Sequence, residues 1–510
     1  MKQALTHDRI RIECPYPIQT ITDIEFIHTF NEHACINIKG ILLEEEQDHW
    51  LERVGDNDRI AIYGQAGAEE ELLFSGCVTR VNIQHQDQVY TFEIEGLSYS
   101  HFLEDGEQNR SFQNHGMTYS EVIQQVIAPY LGARFISLVD DRAIGEFIIQ
   151  YRENDWDFLR RIATHFQTVL TADIKGDSPR FFFGIPKNFK EVSDIRNITT
   201  KKDTSSYQLA QNAGLDVTER DFVKYAFDSL ERLELGDRIT FRGVRYLVEK
   251  VTALLVGDVL QFRYTIGSEN AQLQVRIQNK KIQGVSILGE VLEAQNQALK
   301  LKLNCDSTQD IETACWFPYA TQADNIFYCM PEEGSTLSLY FGNDDECSAV
   351  AVNAVRRNGG NSATMTNPNV KRLDTPYGNE MVLDEQDIHF SVDDGLSMTI
   401  DDGAGVSFES YEYLNIYSQQ SIVMDAGESI EISSEQDTLI AAGSESQFYL
   451  ESTVGDTNIH SDGDIFETGY ARTAIPDFNE EIEVEEVVMS SRCGWNCSGS
   501  WVHQIFKGFS

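Results

Sequence analysis

Cys493, Cys497 and His503 are the residues whose types could hold a metal, two thiolates and an imidazole suited to zinc or iron. If three chains met on an axis there, the copies would multiply the available ligands. The spacing, C-x3-C-x5-H, matches no standard finger, and a plainer reading stands beside it. Trp495, Trp501, Val502, Ile505 and Phe506 are interleaved with these ligands, so the segment can equally be an apolar plug with buried thiols or a dock for another protein. Elsewhere, chemistry finds little to work with. No Ser/His/Asp or Cys/His spacing suggests nucleophilic catalysis, and no isolated carboxylate pair suggests a general acid and base. His165 reads as a structural or exposed histidine. The expectation is a protein that is not an enzyme and carries no cofactor, unless a zinc or iron sits at the tip.

Charge and cysteine usage narrow the classes further. The 510 residues carry a formal charge of −42, and no basic stripe is present to offset phosphate repulsion, which excludes nucleic acid as a partner. Nine cysteines (Cys14, Cys35, Cys77, Cys305, Cys315, Cys329, Cys347, Cys493 and Cys497) follow no disulfide framework and suit a reducing compartment. Met1 to Asp8 lacks the apolar stretch of a secretory signal, so synthesis in the cytoplasm without a signal peptide is expected. The acid is unevenly spread: between Asp374 and Ser490 stand 28 acidic residues and one basic residue, Arg472. So acidic a stretch often means disorder, but here apolar residues recur in register.

That register is a step of eight. Apolar pairs two apart fall at Phe390/Val392, Met398/Ile400, Val406/Phe408, Leu414/Ile416, Ile422/Met424 and Ile430/Ile432, continue at Thr438/Ile440, and slip by two at Phe448/Leu450. A spacing of two puts both side chains of a pair on one face of a short strand. A repeat this short points to a β-helix or a related fibrous array. One octad spans at most ~26 Å, a single side of a prism. Coiled alone, the stretch would be a marginal solenoid. Wound from three chains, every octad would bury its pair on a shared axis, and this trimeric prism is the favoured reading. A plain antiparallel sheet is the alternative. The carboxylates between the pairs read as a solvated outer face that opposes edge-to-edge association.

The first 270 residues read as α+β. Strands are expected at Ala34–Leu43, Arg59–Gly64, Glu71–Ile83, Val89–Leu97, Val169–Ile174, Arg180–Ile185, Arg238–Phe241, Val244–Leu255 and Val259–Ile266. A helix is expected at Tyr119–Tyr130, opened by Thr118 and Glu121 in capping-box spacing. A second is expected at Asp155–Thr168, with Trp156 and Phe158 as core residues. Residues 280–357 suggest six further strands, at Ile282–Glu293, Ala298–Leu303, Ala314–Pro318, Ile326–Cys329, Thr336–Phe341 and Ser348–Val355.

Several of these stretches carry a resemblance. The run Gln150-Tyr151-Arg152-Glu153-Asn154-Asp155-Trp156-Asp157-Phe158-Leu159-Arg160-Arg161-Ile162-Ala163 is similar to the signature of VgrG-type spikes and phage baseplate hubs. Phe74-Ser75-Gly76-Cys77-Val78-Thr79, Pro179-Arg180-Phe181-Phe182-Phe183-Gly184-Ile185-Pro186 and Cys315-Trp316-Phe317-Pro318 fit the same family in the same order. The resemblance implies a mainly β chain with an α+β N-terminal hub. Two β-barrels with helical insertions would occupy 1–270, an OB-fold 280–357, a linker 358–380, an intertwined triple-stranded β-helix 381–470 and a tail 471–510. It implies a homotrimer at the tip of a contractile injection system, joined to a tail tube protein and baseplate proteins and touching the target envelope only in passing. It also implies a dock for a PAAR-like tip protein or an effector, for which Trp495, Trp501 and Phe506 are the candidates. The linker leaves no room for an inserted lysozyme domain. The competing function is a trimeric tailspike-like enzyme acting on envelope polysaccharide, which would need its carboxylates in a groove.

Overall fold

The computed structural model describes residues 5–42, 55, 58–66, 69–86, 89–320, 329–355, 367, 369–375, 377–393, 395–436, 438–441, 449–455, 457–465 and 495–496. The chain divides into two compact units, Met1–Val370 and Lys371–Ser510.

The first unit begins with six strands: β1 (Ile10–Glu13), β2 (Ile18–Thr29), β3 (Cys35–Leu42), β4 (Arg59–Ala66), β5 (Glu69–Gln86) and β6 (Val89–Ser98). Alternation of apolar and polar residues sends Ile24, Phe26, Ile36, Ile38, Ile60, Ile62, Phe74, Phe92 and Ile94 into one core. Gly76, in the middle of β5, is there for space: a Cβ would lie 2.1 Å from the Leu97 carbonyl oxygen on β6.

A helical insertion follows, with β7 (Gln108–Phe112), α1 (Tyr119–Ile127), β8 (Arg134–Ser137), β9 (Ile148–Glu153), α2 (Asp155–Ala163), β10 (Leu170–Ala172) and β11 (Arg180–Phe183). The capping box is present: Glu121 N donates to Thr118 Oγ1 at 3.3 Å and Thr118 N to Glu121 Oε2 at 2.7 Å. Helix α2 is capped by Asn154, whose Oδ1 accepts from Asp157 N at 2.7 Å. It ends at Ala163, earlier than the periodicity suggests. Thr164 Oγ1 donates to the Arg161 carbonyl at 2.5 Å, the chain tightens into a 3-10 turn, and Gln167 turns left-handed at φ 52°. Trp156 and Phe158 are fully buried, as expected.

The chain then returns through β12 (Asn188–Phe189), β13 (Arg196–Lys202), α3 (Thr204–Asn212), β14 (Val223–Ser229), β15 (Asp237–Phe241), β16 (Val244–Val256) and β17 (Val259–Gly267). Pairing of β2 with β16 joins the two halves into one 12-stranded sheet, in the order β1-β4-β5-β6-β3-β2-β16-β17-β14-β13, with β15 on β16 and β12 on β15. Residues from both halves fill the same apolar core.

Five strands complete the unit: β18 (Ser286–Gln295), β19 (Ala298–Leu303), β20 (Trp316–Pro318), β21 (Thr336–Tyr340) and β22 (Val350–Val355), ordered β20-β19-β18-β21-β22. Leu299, Leu301, Leu303, Leu337, Leu339 and Phe341 form its core, and Phe147 and Ile149 from β9 and its approach are buried in it. The strand expected at Ile326–Cys329 lies almost wholly outside the described residues.

The second unit opens as an antiparallel meander of β23 (Lys371–Asp374), β24 (Asn379–Leu383), β25 (Asp387–Val392), β26 (Leu396–Asp401) and β27 (Gly405–Ser410). Its register sets Phe390 opposite Met398, Met398 opposite Phe408, and Ile400 opposite both Ile388 and Val406. Within one chain, then, the first three octads pair with one another as hairpins, the arrangement weighed above as a plain antiparallel sheet. Beyond Ser410 no further strand occurs among the described residues until β28 (Asp464–Ile465), which pairs with β29 (Trp495–Asn496).

Candidate functional site

The run Gln150–Ala163 forms β9, the Asn154 cap and α2, and it holds polar side chains where a core would be expected. Asp155 is buried and receives three bonds: from Arg110 Nη2 at 2.5 Å, Gln150 Nε2 at 2.8 Å and the Tyr130 hydroxyl at 2.9 Å. Arg161 is buried as completely. Its Nε and Nη2 each lie 2.9 Å from a Glu153 carboxylate oxygen, and Nη2 also donates to the Ile149 carbonyl at 2.7 Å. Its Nη1 stands 2.7 Å from Glu346 Oε1, on the loop before β22. Glu346 Oε2 accepts from Ile149 N at 3.2 Å. One guanidinium therefore clamps β9 and α2 of the insertion to the five-stranded sheet. Burial raises both carboxylates, Glu346 to about 7, against the pull of Arg161. Periodicity flagged the apolar residues of this run and missed Arg161 and Glu346 as partners, because 185 positions separate them.

Further bonds tie the same two parts together. Asp306 accepts from Ser111 N at 2.8 Å, and Gln113 Nε2 donates to the Leu301 carbonyl at 3.0 Å.

Two arrangements look catalytic at first sight. His165 Nδ1 lies 2.7 Å from the Tyr119 hydroxyl, but burial, together with Arg276, Arg161 and Arg142, lowers its pKa to about 3, too weak a base for work near neutrality. Cys315 Sγ sits 3.0 Å from His115 Nε2, a pair the spacing hid because 200 residues separate them. The thiol is also 2.8 Å from the Gln113 carbonyl, and burial pushes its pKa up to about 12, which leaves it protonated and unreactive. Among the described residues no group of three or more His, Cys, Asp or Glu side chains is placed to hold a metal. The sequence candidates Cys493, Cys497, His503, Trp501 and Phe506 lie outside the described residues. Trp495 is described only as backbone of β29.

The octad residues are where the second unit differs from an ordinary core. Phe390, Val392, Ile400, Val406 and Phe408 are exposed on the meander, and Met398 is half-buried. Leu414, Ile416, Ile422, Met424, Ile430 and Ile432 are between 52% and 71% exposed. All twelve positions share one parity, and the described chain leaves eleven of them exposed and Met398 half-buried.

With this geometry in hand, comparison with known proteins is informative. Residues 52–166 match the family model of the phage tail baseplate hub (GPD). A type VI secretion component of E. coli, the c3393 protein, described as structurally similar to T4 bacteriophage tail proteins gp27 and gp5, superposes with a TM-score of 0.50. It is 13% identical and covers 68% of this chain and 99% of its own. The VgrG–PdpA complex of Francisella, in its half-lidded form, gives a TM-score of 0.51 at 10% identity, covering 78% of this chain and 87% of the other. No curated protein sequence matches the chain. At these identities the structural likeness shows a shared fold.

Proposed function

We propose that this chain, which carries a phage tail baseplate hub domain within a VgrG-type hub-and-spike fold, is one subunit of a homotrimeric spike of a contractile injection system. In this role it joins the tail tube and baseplate proteins to a rigid needle that pierces a target envelope, assembled into a particle that leaves the cell. The part is structural and not an enzyme. The low basicity of His165 and the protonated Cys315 thiol support that reading.

The observation that carries the proposal is the uncovered octad register. A run of large apolar side chains left about half exposed in one chain forgoes about 1 kcal/mol of burial per residue, roughly half the value of full burial. Three chains wound on one axis would recover it, with Phe390, Val392, Met398, Ile400, Val406, Phe408, Leu414, Ile416, Ile422, Met424, Ile430 and Ile432 facing inward. The hairpins of β25 to β27 would exchange their in-chain partners for neighbouring chains, since a β-ladder satisfies the same backbone groups either way. The odd-numbered Tyr411, Tyr413 and Tyr417, highly exposed here, would stay on the outer face.

The solution mass of the purified chain tests this. A value near three times 57.8 kDa is expected, and a stable monomer would overturn the spike reading.

The tail of 471–510 is proposed to dock a PAAR-like tip protein or an effector through Trp495, Trp501 and Phe506. The Francisella VgrG was captured in complex with PdpA, and that finding makes such a partner reasonable for this fold. Deleting residues 471–510 and assaying capture of a PAAR-like tip protein should abolish binding while leaving the trimer intact.

A further inference from the structure

The cluster of Glu153, Arg161 and Glu346 contains two carboxylates and one cation, all buried, so with both acids ionised it holds one uncompensated negative charge. Burying such a charge is expensive, and the cheap remedy is to bind a proton. Geometry says where the proton goes. Glu153 takes the aligned Nε and Nη2 edge of Arg161 with both oxygens. Glu346 Oε1 lies close to Nη1, yet no N–H is directed at it, and it is a buried oxygen without a hydrogen bond. The other groups nearby do not correct the imbalance. Asp157 on α2 and Lys281 act on Glu153, with opposite signs. Asp345 and Cys347 flank Glu346 on its own loop, and Glu146, before β9, lies beside Cys347 and is paired with Arg276. Tyr119 on α1 is neutral, and burial, helped by the arginines, keeps His165 neutral.

We propose that the seam between the helical insertion and the five-stranded sheet is a proton-linked joint, in which seating of the sheet against β9 takes up one proton on the carboxylate pair at Glu346. The sign follows from linkage. Burial pushes the carboxyl of the seated Glu346 up to about 7, against the ordinary 4.5 of a free glutamate. The seated state therefore binds more protons between those values, and the joint is tightest below pH 4.5 and loosens as pH rises towards 7. A joint built this way, within the first unit, is tighter in a mildly acidic medium than in an alkaline one.

Native-state hydrogen exchange of the full chain, at matched intrinsic exchange rates, reads the joint directly. Peptides covering 147–153 and 336–355 should lose protection about tenfold or more between pH 5 and pH 8, one pKa unit corresponding to tenfold. Glu346→Gln holds the position neutral and should make that protection independent of pH. If Glu346→Gln does not fold, Glu153→Gln leaves a single acid on Arg161 and should flatten the profile as well. A pH slope unchanged in either variant, or a flat profile in the wild type, overturns the proposal.

Discussion

The indole Nε1 of Trp156 donates to the carbonyl of Asn31 at 3.3 Å, and the side chain of Asn31 in turn accepts from Leu170 N at 2.9 Å. One asparagine at the β2–β3 turn, held at φ 63°, thus pins the helical insertion to the hub sheet at the first turn of α2 and at the start of β10. Asn31→Ala should lose this bond and strain the left-handed backbone, lowering stability by about 1–3 kcal/mol. Trp156→Ala should cost about 3–5 kcal/mol. Chemical denaturation monitored by fluorescence and by circular dichroism would measure both. A neutral Asn31→Ala would show that the side-chain bond from Leu170 N adds nothing to the backbone bonds the turn already makes.

The parity of the octads predicts opposite outcomes for neighbouring residues. Ile416→Asp and Ile422→Asp place a charge on the proposed axis and should reduce the trimer to smaller species. Tyr417→Asp, on the other face, should leave the mass unchanged. Light scattering separates the two, and dissociation by the tyrosine variant would refute the register.

Arg161→Met would leave Glu153 and Glu346 buried without their cation. A loss of about 3–5 kcal/mol is expected. Adding Glu346→Gln should recover part of it, because the second variant removes one of the two buried acids left without their partner. The double-mutant cycle is the measurement, and strict additivity would mean that the three side chains do not act together.

Two glycines should tolerate nothing larger. A Cβ at Gly76 would meet the Leu97 carbonyl at 2.1 Å, and one at Gly267 would meet Glu249 Oε1 at 2.0 Å. Gly76→Ala faces rigid backbone and should lower the yield of folded protein sharply. Gly267→Ala faces a side chain, buried and ion-paired to Lys224 at 2.6 Å, and should be milder. Soluble expression and melting temperature compare the two.

For the tail, metal analysis of the purified trimer decides between a site and a plug. We expect no stoichiometric zinc or iron. About one ion per three chains, lost in Cys497→Ser, would assign the site to Cys493, Cys497 and His503.

Local pattern carried much of this far. The capping box at Thr118 and Glu121 was legible because it is a spacing of three with a fixed geometry. Alternation placed β3 to β6 and β15 to β17 within a few residues, since a half-buried strand has a period of two. Strands β1, β2, β7 to β9 and β14 were not among those expected, although β2 alternates over its second half; β12, β13 and helix α3 were missed because they are largely exposed and carry no apolar period. The early end of α2 was invisible too, because a threonine hydroxyl competing for a helix carbonyl leaves the periodicity intact.

The sequence by itself determined the kind of molecule: an acidic, mainly β chain with a hub-like run and an apolar octad register. These are properties of residues close in sequence, where periodicity and charge add up directly. Only the tertiary structure decided which distant polar groups meet. Arg161 with Glu346, Cys315 with His115 and Trp156 with Asn31 all depend on loop closure over a hundred residues or more, and burial then raised the Glu346 carboxyl and the Cys315 thiol. Spacing cannot encode either outcome, because desolvation is a property of the surroundings and not of the chain.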